Sequence, residues 1–154
     1  MKKNTIISFV VFISLAIGFY YFNDQKMHKQ NADKTFIYCL EQANSCFAVN
    51  YNTITDEEKT DYYIKATSNL QTAYYIFQFT SYYYDNGSNN ELFDSISSLS
   101  SCMKIPNTRL KLVEDNRKLV YSYLTNIITN PKDQDSYHKL YRLTDEIYSH
   151  EKVK

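Results

Sequence analysis

Histidine and acidic side chains near the C-terminus are the first candidates for metal binding. His138, Glu146 and His150 fall in one stretch with helical spacing, and Glu146 and His150 are four residues apart, so they would share a helix face. Zinc needs three or four protein ligands, and the H-E-x-x-H pattern is absent. We therefore expect no metal site and interpret these side chains as part of a solvated surface.

The patterns that usually mark catalysis or cofactor binding are also missing. Two glycines cannot supply a P-loop or a dinucleotide fingerprint, and neither G-x-S-x-G nor C-x-x-C occurs. Carboxylates such as Glu41, Glu114 and Asp115 stand singly or in charged runs. We therefore predict that the protein is not an enzyme and binds no cofactor. An enzyme or a small-ligand carrier is the least favoured alternative.

The three cysteines could form one disulfide. Cys39 and Cys46 are seven residues apart on one predicted helix, about 10 Å in rise, which is too far for a disulfide between them. Either could reach Cys102, and counting residues from the connecting loops favours a Cys39–Cys102 pair. The alternatives are three buried thiols and, since the number is odd, a bond between chains in a homo-oligomer.

Residues 1–22 differ in composition from the rest of the chain. Two lysines precede Ile6–Phe22, seventeen residues without a charge that end in an aromatic cluster. A membrane-spanning helix needs about 17–25 mostly apolar residues, so this segment predicts a single-pass anchor. The alternative is a signal peptide cleaved near Gly18, after a small-x-small motif.

Both interpretations place residues 23–154 outside the cytoplasm, on the cell surface or in the periplasm. Residues 23–34 are polar and lack apolar periodicity, which predicts a short stalk. Lysine plus arginine and aspartate plus glutamate each number 17. Because no basic excess is present, we expect no nucleic-acid partner.

Residues 35–154 have the spacing of amphipathic helices, and only two prolines interrupt the chain. Thr55 followed by Glu58 predicts a capping box at the start of a helix that would run to Asp85. Further periodic stretches, including 91–104 and 107–129, make about five helices. The predicted fold class is therefore all-α: an N-terminal transmembrane or signal helix followed by a compact helical bundle.

The stretch Ala73–Asp85 contains five tyrosines and two phenylalanines. Its alternation also suits a strand, but the sequence that follows has helical spacing, so we favour a helix. A helix that is aromatic nearly all round is usually buried on several sides. Alternatively, one tyrosine face stays exposed to bind a protein, because tyrosine buries a large area at low entropic cost. The candidate partner-binding residues are Tyr75, Tyr82, Tyr83 and Tyr84.

The most direct interpretation is a membrane-anchored, extracytoplasmic helical protein that binds another protein, as an accessory subunit or adaptor of an envelope complex. It follows from an anchor, surplus aromatic faces and the lack of a catalytic pattern. The alternative is a cleaved, soluble periplasmic inhibitor or immunity protein that neutralises a toxin or a hydrolase.

Overall fold

The computed structural model describes residues 2–85, 91–104 and 109–149; side chains are described from residue 11 onwards, except those of residues 84 and 85. Within these ranges the chain is all-α and contains no strand, which confirms the all-α part of the predicted fold class and excludes a strand over residues 73–85. The helices are α1 (Lys2–Phe47), α2 (Asp56–Phe77), α3 (Ser81–Asp85), α4 (Glu91–Cys102), α5 (Leu110–Asp115), α6 (Arg117–Thr129) and α7 (Gln134–Ser149), with a 3-10 helix at Tyr51–Thr53.

Helix α1 runs without a break through the segments that the sequence separated into leader, stalk and first bundle helix. The predicted stalk, residues 23–34, is thus helical, although most of its side chains are exposed. None of the helices, over the residues that the structure describes, contains an apolar stretch long enough to cross a bilayer. A transmembrane span is therefore not supported by the structure.

The five longest helices form a closed ring. Helix α1 packs on α2, α2 on α4, α4 on α7, α7 on α6, and α6 again on α1. Each contributes a stripe of buried apolar residues to one core, in agreement with the predicted bundle. Phe36 of α1 and Phe77 of α2 are both buried in this core, with ring centroids 5.3 Å apart. Burying a side chain of this size contributes about 1.5–3 kcal/mol.

Helix α2 begins as the sequence predicts. The Thr55 hydroxyl accepts a hydrogen bond from the Glu58 amide, and the Glu58 carboxylate accepts one from the Thr55 amide, which completes a capping box. The helix then runs antiparallel to α1: its first half contacts Tyr51, just after α1, and its last residue contacts Phe36. This pairing fixes which face of α2 is buried.

The predicted single helix from Thr55 to Asp85 is wrong in its last third, because a tight turn at residues 78–80 separates α2 from α3. The Thr80 hydroxyl donates to the Phe77 carbonyl at 2.6 Å, and the backbone amides of Phe79 and Thr80 donate to carbonyls three residues back. Side chains that compete for backbone groups in this way end helices. Asp33 of α1 then accepts hydrogen bonds from the amide and hydroxyl of Ser81, at 2.7 and 2.8 Å.

The second half of the chain contains another unpredicted break. The stretch 107–129, predicted as one helix, is divided into α5 and α6 at Asn116, whose side-chain amide donates to the Leu112 carbonyl at 2.9 Å. Helix α7 begins at Gln134, after a turn in which the Asp133 amide donates to the Asn130 carbonyl. These shifts do not change the order of the helices in the ring.

The predicted Cys39–Cys102 disulfide is not formed. Cys39, Cys46 and Cys102, all within the described residues, are buried thiols, and no two of them are within disulfide distance. Burial raises the pKa of the Cys39 and Cys46 thiols, which disfavours the reactive thiolate. They fill the core as small apolar side chains, the alternative noted above.

Candidate functional site

Helix α2 has two faces of different character. One face is a buried stripe that consists of Tyr63, Ala66, Leu70, Ala73 and Phe77. The opposite face carries Ile64, Ser68, Gln71 and Tyr75, at spacings of four, three and four residues, so their side chains lie in one row. Ile64 and Tyr75, near the two ends of this row, are 61% and 66% exposed. Large apolar side chains with such exposure mark an open surface on α2.

This row borders a groove between α2 and α4 that has two parts. The larger part, here called the apolar lobe, has a volume of about 520 Å³ and is lined by Thr60, Ile64, Thr67, Ser68, Gln71, Met103 and Lys104. The smaller part, the hydroxyl lobe, has a volume of about 140 Å³ and is lined by Gln71, Tyr74, Tyr75, Ser97, Ser100, Ser101 and Lys104. Gln71 and Lys104 line both lobes, so the lobes adjoin each other, and together they are here called the α2–α4 groove.

Two buried hydroxyls in this groove lack hydrogen-bond partners. They are Oγ1 of Thr67 in the apolar lobe and Oγ of Ser100 in the hydroxyl lobe, and Ser100 as a whole is only 3% exposed. Other hydroxyls on these helices, such as that of Thr72, donate to the carbonyl four residues earlier. Leaving a buried polar group without a partner costs about 1–3 kcal/mol. A ligand with a hydrogen-bonding group would recover that cost.

Tyr75 is held in place by its neighbours. The ring of Tyr74 stacks on Phe93 of α4 with a centroid distance of 4.1 Å, and the ring of Tyr75 meets Tyr74 edge-on at 5.4 Å. The exposed Tyr75 ring therefore stands on an aromatic support that is itself packed against α4. A ring with such a contact has less freedom to lose when a partner covers it.

The other tyrosines predicted to bind a partner are not exposed beside the α2–α4 groove as Tyr75 is. Tyr82 is half-buried, packs on Phe36 with a centroid distance of 6.0 Å, and has its pKa raised by burial and by the nearby Asp33. Tyr83 is 38% exposed, with its ring edge-on to Phe77. The side chain of Tyr84 lies outside the described residues. Of the three described side chains, Tyr75 is the most exposed.

A cluster of buried polar groups occupies the end of the bundle where α1 meets α2. The Tyr63 hydroxyl donates to the Glu114 carboxylate, and the Tyr51 hydroxyl donates to the Cys46 carbonyl at 2.9 Å. Burial raises the pKa of Glu114 and of Tyr51, although Lys59 opposes the shift at Glu114. Both hydroxyls are engaged in bonds between helices or loops. This arrangement suits a structural clamp, because both hydroxyls tie separate segments of the chain together.

The residues first considered for metal binding are not brought together. His138 bonds Glu91 of α4 at 3.1 Å, Glu146 lines a small cavity with apolar neighbours, and His150 lies outside the described residues. Across the described ranges no group of three or more histidine, cysteine or acidic side chains could hold a metal ion.

A second unusual surface lies on the N-terminal half of α1. From Val11 to Phe22 every side chain is exposed, including nine large apolar or aromatic ones, of which Phe12 is 71% exposed. These side chains point in all directions around the helix, not to one side. A helix that is apolar on all sides can be buried only if it is covered on all sides.

Comparisons with known proteins provide no family for this chain. The sequence matches no protein-family model, and it has no significant match among curated proteins or solved structures.

Sequence reasoning found part of this site. Tyr75 was predicted as a partner-binding residue, and Ile64, eleven residues earlier, falls on the same stripe of the helical repeat. Lys104 and Ser100 could not be assigned to it, because their position in the groove depends on α4 lying beside α2. No local pattern in the sequence indicates that neighbour.

Proposed function

We propose that this protein is a non-enzymatic, membrane-attached helical protein that binds another protein outside the cytoplasm, as an accessory subunit or adaptor. The observation that carries the proposal is the α2–α4 groove, flanked by the exposed side chains Ile64 and Tyr75. Protein-binding sites are enriched in tyrosine and commonly have an aromatic anchor beside a pocket. The groove combines these features.

Attachment to a membrane is supported by the N-terminal segment. Its charge-free run, Ile6–Phe22, follows two lysines, and the apolar side chains from Val11 to Phe22 are exposed all round the helix. Lipid would cover them, and the helix would continue directly into the bundle. N-terminal sequencing of the mature protein separates this proposal from a cleaved, soluble inhibitor: a start near Phe19 would contradict attachment and leave the groove proposal intact.

The groove proposal is tested by replacing its most exposed tyrosine. Full-length tagged protein is purified from the native membranes as wild type, as Tyr75→Ala and as Tyr121→Ala. Tyr121 is an exposed tyrosine on α6, which lies away from the groove, and serves as the matched control. We expect Tyr75→Ala to reduce the amount of co-purified partner at least tenfold, since truncating a central interface tyrosine commonly costs about 2 kcal/mol or more.

The Tyr121→Ala control shows whether a loss of partner is specific to the groove. Far-UV circular dichroism should give the same helix content for all three proteins, because neither tyrosine is buried. If Tyr75→Ala and Tyr121→Ala retain the partner equally, or lose it equally, the α2–α4 groove is not the binding surface.

A further inference from the structure

The α2–α4 groove carries a positive charge at its middle. Among the described residues that line its two lobes, Lys104 is the only charged one, and it borders both lobes. Within the described part of the chain Lys104 forms no ion pair, whereas Lys59, for example, pairs with Asp56 at 3.4 Å. A negatively charged group on a partner would therefore find an unneutralised cation there.

The dimensions of the groove suit a helix. Along α2 the apolar lobe centres near residue 66 and the hydroxyl lobe near residue 73, as judged from the residues that line each. Seven residues of helix correspond to a rise of about 10 Å, which is two turns. A partner helix lying along the groove would reach the two lobes with side chains seven positions apart.

The chemistry of each lobe then sets the type of side chain that it accepts. Ile64 and Met103 make the first lobe apolar. The second lobe contains three serines and the unpartnered Oγ of Ser100, so it favours an amide or hydroxyl side chain. An apolar side chain there would leave the Ser100 hydroxyl unsatisfied.

We infer that the groove binds an amphipathic helix of a partner protein with a defined pattern. The helix presents an apolar residue to the lobe at Ile64, an Asp or Glu within one turn of it to Lys104, and an amide or hydroxyl residue at about the seventh position to Ser100. Binding of an amphipathic helix in a groove between two helices is a common recognition mode. This inference rests on the proposed function, since it describes the partner of the same site.

A selection experiment with peptides tests the pattern directly. A displayed library of helical peptides, randomised on one face, is selected for binding to full-length protein in detergent micelles. We expect the binders to share an apolar residue, an acidic residue within one turn and an amide or hydroxyl residue two turns away. Lys104→Glu should weaken them at least tenfold, and selection on that variant should return Lys or Arg at the acidic position.

Lys118→Glu provides the matched control, because Lys118 is an exposed lysine on α6, away from the groove. The selected peptides should bind this variant as they bind the wild type. Three results would overturn the inference: no helical binders, binders without an acidic preference, or binders that Lys104→Glu does not weaken. Self-association that Lys104→Glu abolishes would assign the groove to a second copy of this chain and would also overturn it.

The two proposals fail separately. If Tyr75→Ala releases the native partner but the peptides show no charge reversal with Lys104→Glu, the binding surface is correct and the helix pattern is wrong. If Tyr75→Ala retains the native partner as the Tyr121→Ala control does, the proposed function fails whatever peptides are selected.

Discussion

The two halves of helix α1 both carry many aromatic and aliphatic side chains, but they have opposite surroundings. Residues 11–22 are exposed on every side, whereas Phe36, Leu40, Ala43 and Phe47 form a stripe that is buried against α2 and α6. The buried half is the more polar in sequence, with Glu41, Gln42 and Asn44 among its residues. Apolar content alone therefore does not determine burial. A helix is buried where its apolar residues lie on one side and a neighbour packs against that side.

The junction between the halves lies near Asp33. On its N-terminal side, Asp24 pairs only locally, with His28 at 3.3 Å. Asp33 instead bonds Ser81, 48 residues away in the chain. Aspartate thus forms an exposed pair within the helix in the N-terminal half of α1, and a hydrogen-bonded contact with another helix in the C-terminal half.

The largest difference in stability between the two halves of α1 is expected when a phenylalanine is replaced by alanine. Phe36→Ala should lower the free energy of unfolding by about 3–5 kcal/mol, because Phe36 is fully buried and its truncation leaves a cavity in the core. Phe12→Ala, in the exposed half of the same helix, should change it by less than about 0.5 kcal/mol. Urea unfolding of the full-length protein in detergent, followed by far-UV circular dichroism, measures both. Equal losses would show that the two halves fold as one packed unit.

A smaller difference in stability is expected when an aspartate in each half of α1 is replaced by alanine. Asp33→Ala removes the acceptor for the Ser81 amide and hydroxyl, and should cost about 1.5 kcal/mol, the lower range for hydrogen bonds to a charged group. Asp24→Ala removes an exposed pair within one helix and should cost no more than about 0.5 kcal/mol. The same urea experiment compares the two variants. A cost at Asp24 that matched the cost at Asp33 would place the junction closer to the N-terminus.

The smallest effect concerns the start of α2, the helix that covers the buried half of α1. Thr55→Ala removes the side-chain cap and should cost about 1 kcal/mol. The hydrogen bonds from Thr55 also lower the pKa of Glu58 below its ordinary value. Because the folded-state pKa is the lower one, this contribution is present above about pH 4.3 and is lost as the pH falls through the folded-state value.

Measuring stability over a range of pH tests whether this contribution is lost as the pH falls. Between pH 7 and pH 3 the wild type should lose more stability than Glu58→Gln, which has no carboxylate to protonate at this position. If both proteins lose stability in parallel, the capping box does not contribute to the acid sensitivity.

Sequence reasoning succeeded where the determining interactions are local. The capping box at Thr55 and Glu58 involves residues three apart, and its pattern was sufficient to predict it. The break after Phe77 was missed, because a threonine such as Thr80 does not by itself mark the end of a helix, and the Asp33 carboxylate that bonds Ser81 belongs to a distant part of the chain. Glu114 was likewise treated as a solvated carboxylate, although Tyr63, 51 residues away, donates to it.

By itself, the sequence determined the class of the fold, the apolar segment near the N-terminus and the helical row that contains Ile64 and Tyr75. These depend on residue type and on a fixed helical repeat, so they can be derived from the chain alone. The packing of α4 against α2 was decided only by the tertiary structure. It placed Lys104 and Ser100 in one groove beside Tyr75, because contacts between distant segments follow from how the whole core closes.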